Sequence, residues 1–386
     1  FSQGAAVGAG VIVAQYLGAR DKKSVSDAVH TSLVIAGILG IVLTIAGIVL
    51  SRQLLEWMKT PAEVMEQAVT YFRLYSAGMF FGIVYNMAAG ILNAAGNSKR
   101  SLLYLAVASF TNIVLDILFI AILDMGVAGA AIATDISQAV SCILSMAFLM
   151  RVKDSYQVSL KKLKIHRRIA GSMIRVGLPT GIQNMVISLS NVLVQTSVNG
   201  FGAAAMAGYT AYLKVDGFNI LPVMSFSMAV TTFAGQNYGA GNYDRVKKGM
   251  YVTLAMGFVY TVLTGALLLT FDDQIMGMFS RDAEVITCGK LAMKYFCPFY
   301  FILSILHGLS GALRGVGKSI PPMVVLLLSL CVFRIFWIWL VLPHFSTIEG
   351  VYMLYPVSWA LGAVMIIIYA CTAKWLPGGR QQGKVR

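Results

Sequence analysis

Apolar stretches fill most of this chain, broken by short polar intervals. A membrane-spanning helix needs about 20 consecutive, mostly apolar residues. That rule predicts a partial span at Phe1–Leu17 and full spans at about 28–50, 71–93, 101–122 and 126–150. Further spans are expected at about 172–198, 204–233, 246–270, 290–312, 319–342 and 350–373. The first residue lies inside an apolar run with no charged region before it, which is unlike a signal peptide. The chain is therefore expected to open within a span.

The longest polar interval is RVKDSYQVSLKKLKIHRR, from Arg151 to Arg168. It holds Arg151, Lys153, Lys161, Lys162, Lys164, Arg167 and Arg168 against one acid, Asp154. It reads either as the link between two membrane halves or as an ordinary connecting loop. Both readings place it on the same side of the membrane. The division expected is an N-terminal lobe at 1–150, a basic cytoplasmic linker at 151–170, a C-terminal lobe at 171–375 and a cytoplasmic tail at 376–386.

Charge tests the helix count, because Lys and Arg concentrate in cytoplasmic connections. Arg20, Lys22 and Lys23 lie in the first connection, Lys99 and Arg100 in the third, and the basic segment is the fifth. Arg245, Lys247 and Lys248 lie in the seventh, Arg314 and Lys318 in the ninth, and Lys374, Arg380, Lys384 and Arg386 after the last span. The intervening connections are acidic: Glu56, Glu63 and Glu66; Asp124; Asp272, Asp273, Asp282 and Glu284; then Glu349. The alternation supports the helix count and a cytoplasmic C-terminus, and the chain is expected in the cytoplasmic (inner) membrane.

Composition agrees. Of 386 residues, 58% are hydrophobic and 12% charged, against about a quarter charged in soluble domains. Such a chain cannot cover a water-facing surface, so it belongs in a lipid bilayer. The net charge of +14 then follows from cytoplasmic Lys and Arg rather than from nucleic-acid binding. Cys142, Cys288, Cys297, Cys331 and Cys371 form no C-x-x-C pair and read as small core residues. The four histidines are scattered. No metal site, no cofactor and no enzyme chemistry are expected, and a monomer is.

The chain also resembles itself. AQYLGARD at 14–21 is similar to GQNYGAGN at 235–242, with Gln15 on Gln236 (236 − 15 = 221). Gly96-Asn97-Ser98-Lys99 is similar to Gly315-Val316-Gly317-Lys318, with an offset of 315 − 96 = 219. Glycine-rich turns can recur by chance, but two matches in nearly one register favour a repeat. A six-helix repeat has even parity, so its halves insert the same way up, with a binding site expected between them. The helix matching 172–198 would precede Phe1, and the whole protein is expected to exceed the 41.7 kDa of these residues.

These motifs carry a resemblance. With GILNAAGNSK, GALRGVGKS, TNIVLD and GVAGAAIAT, they make the chain similar to the MATE family of multidrug and toxin extrusion transporters, nearer its DinF-like branch. The resemblance runs from the second family helix to the twelfth. It implies an all-α polytopic membrane protein of two pseudo-symmetric six-helix lobes, the first helix and part of the second being missing from this chain. It implies export of organic cations by alternating access, in exchange for Na⁺ or H⁺.

Acids inside spans cost roughly 2.5–3.5 kcal/mol on insertion scales, so they mark function by default. Three stand out: Asp116, Asp135 and Asp216. Asn112 and Asp116 are four apart and share a helix face. Such a pair can bind a small cation, the carboxylate can take a proton, or the two can be a buried structural contact. In the DinF-like pattern the matching residues line a cavity of the N-terminal lobe, and Asn86 and Thr134 match other polar positions of that cavity. The family's first helix also carries an acid, and that helix is not in this sequence. Asp135 is expected to be solvated near the acidic end of its helix. Asp216 and Lys214 do not face each other; each is expected to find a partner on another helix, and Asp216, Lys214 and Asp135 are the secondary candidates for lining a cleft. Arg334 is expected to snorkel or to hydrogen-bond between the lobes.

The chain departs from the NorM-like branch, which places acids in the seventh and tenth helices. Ile187 stands at the first of those positions, and no acid lies between Glu284 and Glu349. With the 219 offset, Asn112 maps to Cys331 and Asp116 to Ile335, so the second lobe is expected to be apolar where the first is polar. The alternative function is a lipid-linked oligosaccharide flippase of related fold, which would want a basic central cavity.

Overall fold

The computed structural model describes residues 2–58, 60–345 and 347–377, and these are all-α, with no strand among them. Most of the expected tail, residues 378–386, lies outside the described residues. Eleven long helices follow one another: α1 Ser2–Gly18, α2 Lys22–Trp57, α3 Ala62–Ala94, α4 Ser98–Ile122, α5 Gly126–Arg151 and α6 Arg167–Asn199. Then come α7 Ala203–Gly239, α8 Tyr243–Thr270, α9 Ala283–Gly315, α10 Ile320–His344 and α11 Glu349–Thr372. Among the described residues, nine of these are long and apolar enough to cross a membrane. The other two are α1, at 17 residues, and α6. Helix α6 has the length, 33 residues, but it carries Arg175, Gln183, Asn184, Asn191 and Gln195 along it.

The helices show what a bilayer demands of them. Every backbone polar group must be bonded inside its own segment, because hydrocarbon supplies no partner. Their outer faces are apolar: in α2, Ile38, Ile41, Val42, Ile45 and Val49 are all exposed. Two helices relax locally into wider π turns, α4 over Ile117–Ile122 and α10 over Leu328–Val332 and Trp337–Val341. Pro298, with no N–H to give, sits in a 3₁₀ turn, Cys297–Phe299, that interrupts α9.

The chain divides into two compact units, Phe1–Leu178 and Pro179–Arg386. The division falls within α6, not across the basic segment. That segment belongs to the first unit. Tyr156 and Val158 are buried in its core, and the Val158 N–H donates to the Leu149 carbonyl (2.8 Å). The buried His30 imidazole receives the Ser159 N–H at Nε2 (3.0 Å). Its Nδ1 faces the Ser26 carbonyl at 2.6 Å, which only accepts, so Nδ1 carries the proton. Thr31 donates to the Lys164 carbonyl (3.2 Å) and accepts from the His166 N–H (3.1 Å). A segment that reads as linker is thus bonded onto the start of α2.

The internal repeat holds one register at its turns. Arg20 (φ 57°) and Gly241 (φ 73°) are both left-handed, as are Gly96 (φ 76°) and Gly317 (φ 85°); each pair is 221 apart (241 − 20; 317 − 96). The hydrogen bonds agree: Asn97 N–H to Leu92 O (2.8 Å) is matched by Lys318 N–H to Leu313 O (2.9 Å). The offset of 219 for the second motif is therefore corrected to 221. Glycine recurrence alone had aligned Gly96 with Gly315, but the residue that turns the chain is Gly317.

Helix crossings repeat as well. A Cβ on Gly90 of α3 would sit 2.8 Å from the Ala6 carbonyl of α1, and one on Gly311 of α9 would sit 2.5 Å from the Ser227 carbonyl of α7. Both members of this crossing shift by 221, and both need glycine for the close approach.

Asp21 shows how a helix start is specified. It caps α2, accepting from the Ser24 hydroxyl (2.6 Å) and the Ser24 N–H (3.0 Å). These bonds, the hydroxyl's first, hold its carboxyl below the usual carboxylate range. Asp21→Ala is expected to cost about 0.5–2 kcal/mol, as cap removal does. A depressed carboxylate stabilises above its unfolded pKa of about 3.9 and ceases to as pH falls through the folded value. The gap between wild type and variant, measured by unfolding in detergent, should therefore be full at neutral pH and close at strongly acid pH.

Candidate functional site

In the first unit, α4 turns Asn112 and Asp116 away from lipid. Their neighbours Ile113, Val114 and Ile117 are exposed, and the two polar residues are half-buried on the other side. Asn112 Nδ2 and Asp116 Oδ1 are both buried with no hydrogen-bond partner. Two unpartnered polar atoms one helical turn apart are costly unless something else fills the space between them. Asp116 is also the last residue before the π turn.

The expected companions do not close on this pair. Thr134 donates to the Ala130 carbonyl of its own helix (2.9 Å). Asn86 lies half-buried on α3, and its neighbour Tyr85 joins α3 to α4 by donating to the Ser101 carbonyl (3.1 Å).

Asp135 is not at a solvated helix end, which corrects the expectation for it. It stands on α5 against α3, where Gly78 leaves room: a Cβ on Gly78 would collide with the Asp135 carboxyl. One turn along, a Cβ on Gly82 would collide with Gln138 Oε1. The Gly78/Gly82 pair thus makes a notch for polar side chains, and Asp135 Oδ1 is buried there without a partner.

The second unit has a polar interior of its own, built away from the positions that match Asn112 and Asp116. Asp216 on α7 accepts from Tyr300 on α9 (2.6 Å) and from Tyr212 one turn before it (3.1 Å). The two hydroxyls lie 2.5 Å apart. Beside them Tyr209 and Tyr355 pair hydroxyls at 2.5 Å. Arg334, 2% exposed, donates to Ser190 (3.0 Å) and Ser358 (3.1 Å) and lies over the Tyr355 ring at 4.4 Å. It neither snorkels nor reaches outside its unit. Lys214 is exposed and stands apart from this cluster. Sequence polarity overlooks the tyrosines because they count as aromatic filling; the available signal was Tyr212 four residues before Asp216.

Arg314 is likewise not a charge of the connecting loop. It is buried near the end of α9 and donates to the Ser227 hydroxyl (2.8 Å), while its Nε has no partner. Among the described residues, no three His, Cys, Asp or Glu side chains converge to hold a metal ion.

The chain can be compared with known proteins at this point. A sequence profile described as MatE matches residues 1–118 and 179–340. The probable multidrug resistance protein YpnP of Bacillus subtilis is 29% identical over 323 residues, 84% of this chain and 72% of that protein. The probable multidrug resistance protein NorM of Thermotoga maritima is 26% identical, over 96% of this chain and 79% of that one. Among solved structures, a MOP superfamily transporter from Pyrococcus furiosus superposes with a TM-score of 0.89 at 25% identity, covering 96% of this chain and 83% of that one.

The tyrosine clamp on Asp216 yields a stability prediction. Tyr300→Phe removes the shorter of two donors to a buried carboxylate. A loss of about 1–3 kcal/mol is expected, read as a lowered unfolding midpoint in detergent. An unchanged midpoint would mean that this bond contributes nothing to the fold.

Proposed function

Because the chain belongs to the MatE family, we propose that it is a multidrug efflux antiporter that exports organic cations in exchange for H⁺ or Na⁺. The observation that carries this reading is the unpartnered Asn112–Asp116 pair. An unanswered carboxylate oxygen on Asp116 leaves room for a proton or a small cation, with the unanswered Asn112 Nδ2 donor one turn away. Asp216 differs in that its Oδ1 already accepts from two tyrosines. The names of the relatives support drugs as the cargo.

A ligand shifts a conformational equilibrium only by binding one state better than the other. Asp116 supplies that difference, because closing apolar surface over a bare carboxylate is unfavourable and closing it over a neutralised one is not. Asn112 helps to hold the ion or the protonated acid, and Asn86 and Thr134 lie on the helices flanking α4. The flippase reading finds no support in Arg334, whose guanidinium is already committed to two serines and a tyrosine ring.

Asp116→Asn should abolish drug efflux from proteoliposomes driven by a proton or Na⁺ gradient, and with it the ion-dependent change in tryptophan fluorescence, while the protein still folds. Asp216→Asn should keep the ion response. Retention in the Asp116 variant together with loss in the Asp216 variant would move coupling into the second unit.

A further inference from the structure

The second unit contains a crevice that the transport reading does not use. It encloses about 640 Å³ and opens along α8, with α9 and α11 as its other walls and the segment after α11 at one end. Leu254, Phe258, Ile305, Leu309 and Ile367 line it, and Lys247 and Lys374 are its charged residues; no acid is among the lining residues. Trp375 lies at the same end, buried to 7% exposure, its indole N–H held by the Ala370 carbonyl at 2.9 Å.

The chemistry of this lining is graded. Lys247 is in the second turn of α8 and Lys374 lies just past the end of α11, so both ammonium groups stand at one end of the crevice. From Lys247 to Phe258 is 11 residues (258 − 247), about 16 Å at 1.5 Å per residue. That is close to one leaflet of a hydrocarbon core about 30 Å thick. The outer wall faces lipid: Tyr251, Met256, Phe258 and Ile367 are all exposed. A soluble anion would leave the apolar length unused, and a cationic drug would meet two lysines. We propose that the crevice binds one anionic phospholipid, with its phosphate on Lys247 and Lys374 and one acyl chain along α8 between α9 and α11. Basic pockets between membrane helices recognise acidic headgroups in this way.

Cys371 lines the crevice and is the one exposed cysteine among the described residues, so it reports occupancy. The full-length protein in detergent is treated with a maleimide while phosphatidylglycerol or phosphatidylcholine of identical chains is titrated in, and Cys371 labelling is followed by peptide mass spectrometry. Phosphatidylglycerol at ten times its Kd should slow labelling about ten-fold, in proportion to the bound fraction; phosphatidylcholine should slow it far less. Lys247→Gln with Lys374→Gln should remove the protection. Lys161→Gln, Lys162→Gln and Lys164→Gln together, which neutralise exposed lysines elsewhere, should leave it intact. Equal protection by phosphatidylcholine, or by soluble glycerol phosphate, would overturn the proposal, and so would protection that survives the Lys247/Lys374 double variant. Should that variant fail to fold, a photoactivatable phosphatidylglycerol on the wild-type protein decides: adducts at 250–258 and 367–376 support the site, and adducts confined elsewhere exclude it.

Discussion

Hydrocarbon offers no hydrogen-bond partner, and the rest of this structure follows from that. Each polar side chain within a span must be answered by the protein. Most hydroxyls turn back on their own helix, as Thr134 does to Ala130 and Thr261 to Gly257. Charged groups need more. Asp216 has two phenols, Arg334 has two serines and an aromatic face, and Arg314 has Ser227. Some buried polar atoms are left unanswered, among them Arg314 Nε, Gln183 Oε1 and Asn219 Nδ2, and the acids in that set are Asp116 and Asp135, each at Oδ1. An acid inside a span is the most expensive member of that set.

The two units meet the same demand on a shared frame with different chemistry. The crossing at Gly90 and Gly311 shows this. In the first unit Gly10 and Gly90 bring α1 and α3 together, backbone on backbone. The repeat places Thr231 where Gly10 stands and Ser227 where Ala6 stands. Thr231 donates to the Gly311 carbonyl (2.9 Å) and Ser227 to the His307 carbonyl (2.7 Å). The glycine that permits the approach is kept, while the contact changes from bare packing to hydrogen bonding. A fold can thus repeat its geometry and still diverge in polarity.

Much of this was legible in the sequence, because length and apolarity define a span and glycine with a polar cap ends it. The helices, their order and the turns after α1, α3, α7 and α9 were read from those signals alone. What escaped depends on tertiary contact. Arg314 sits one residue from a helix end and reads as a loop charge until Ser227 is seen beside it. The basic segment reads as linker because its anchors, His30 and Thr31, lie more than a hundred residues away. The tyrosines around Asp216 carry no charge and do not stand out in the sequence until their hydroxyls converge. The candidate pair on α4 was legible because both members lie on one helix four residues apart. The notch for Asp135 was not, because it is made by the absence of side chains on α3.

The α4–α10 comparison separates architecture from function. A π turn begins at Ile117 in α4 and at Trp337 in α10, one residue from register under the 221 offset (117 + 221 = 338). The turn is therefore part of the repeated frame and not a consequence of the acid. In that register Asp116 corresponds to Trp337 and Asn112 to Phe333. Trp337 fills its position with an indole whose N–H is answered by the Gly350 carbonyl (2.9 Å). No demand is left over there. The first unit places a carboxylate at the same point of the same helix and leaves one of its oxygens bare. The frame would stand with an aromatic residue at that point, as it does in the second unit, so packing alone does not require the acid. What the acid adds is a buried carboxylate oxygen that no neighbouring side chain answers.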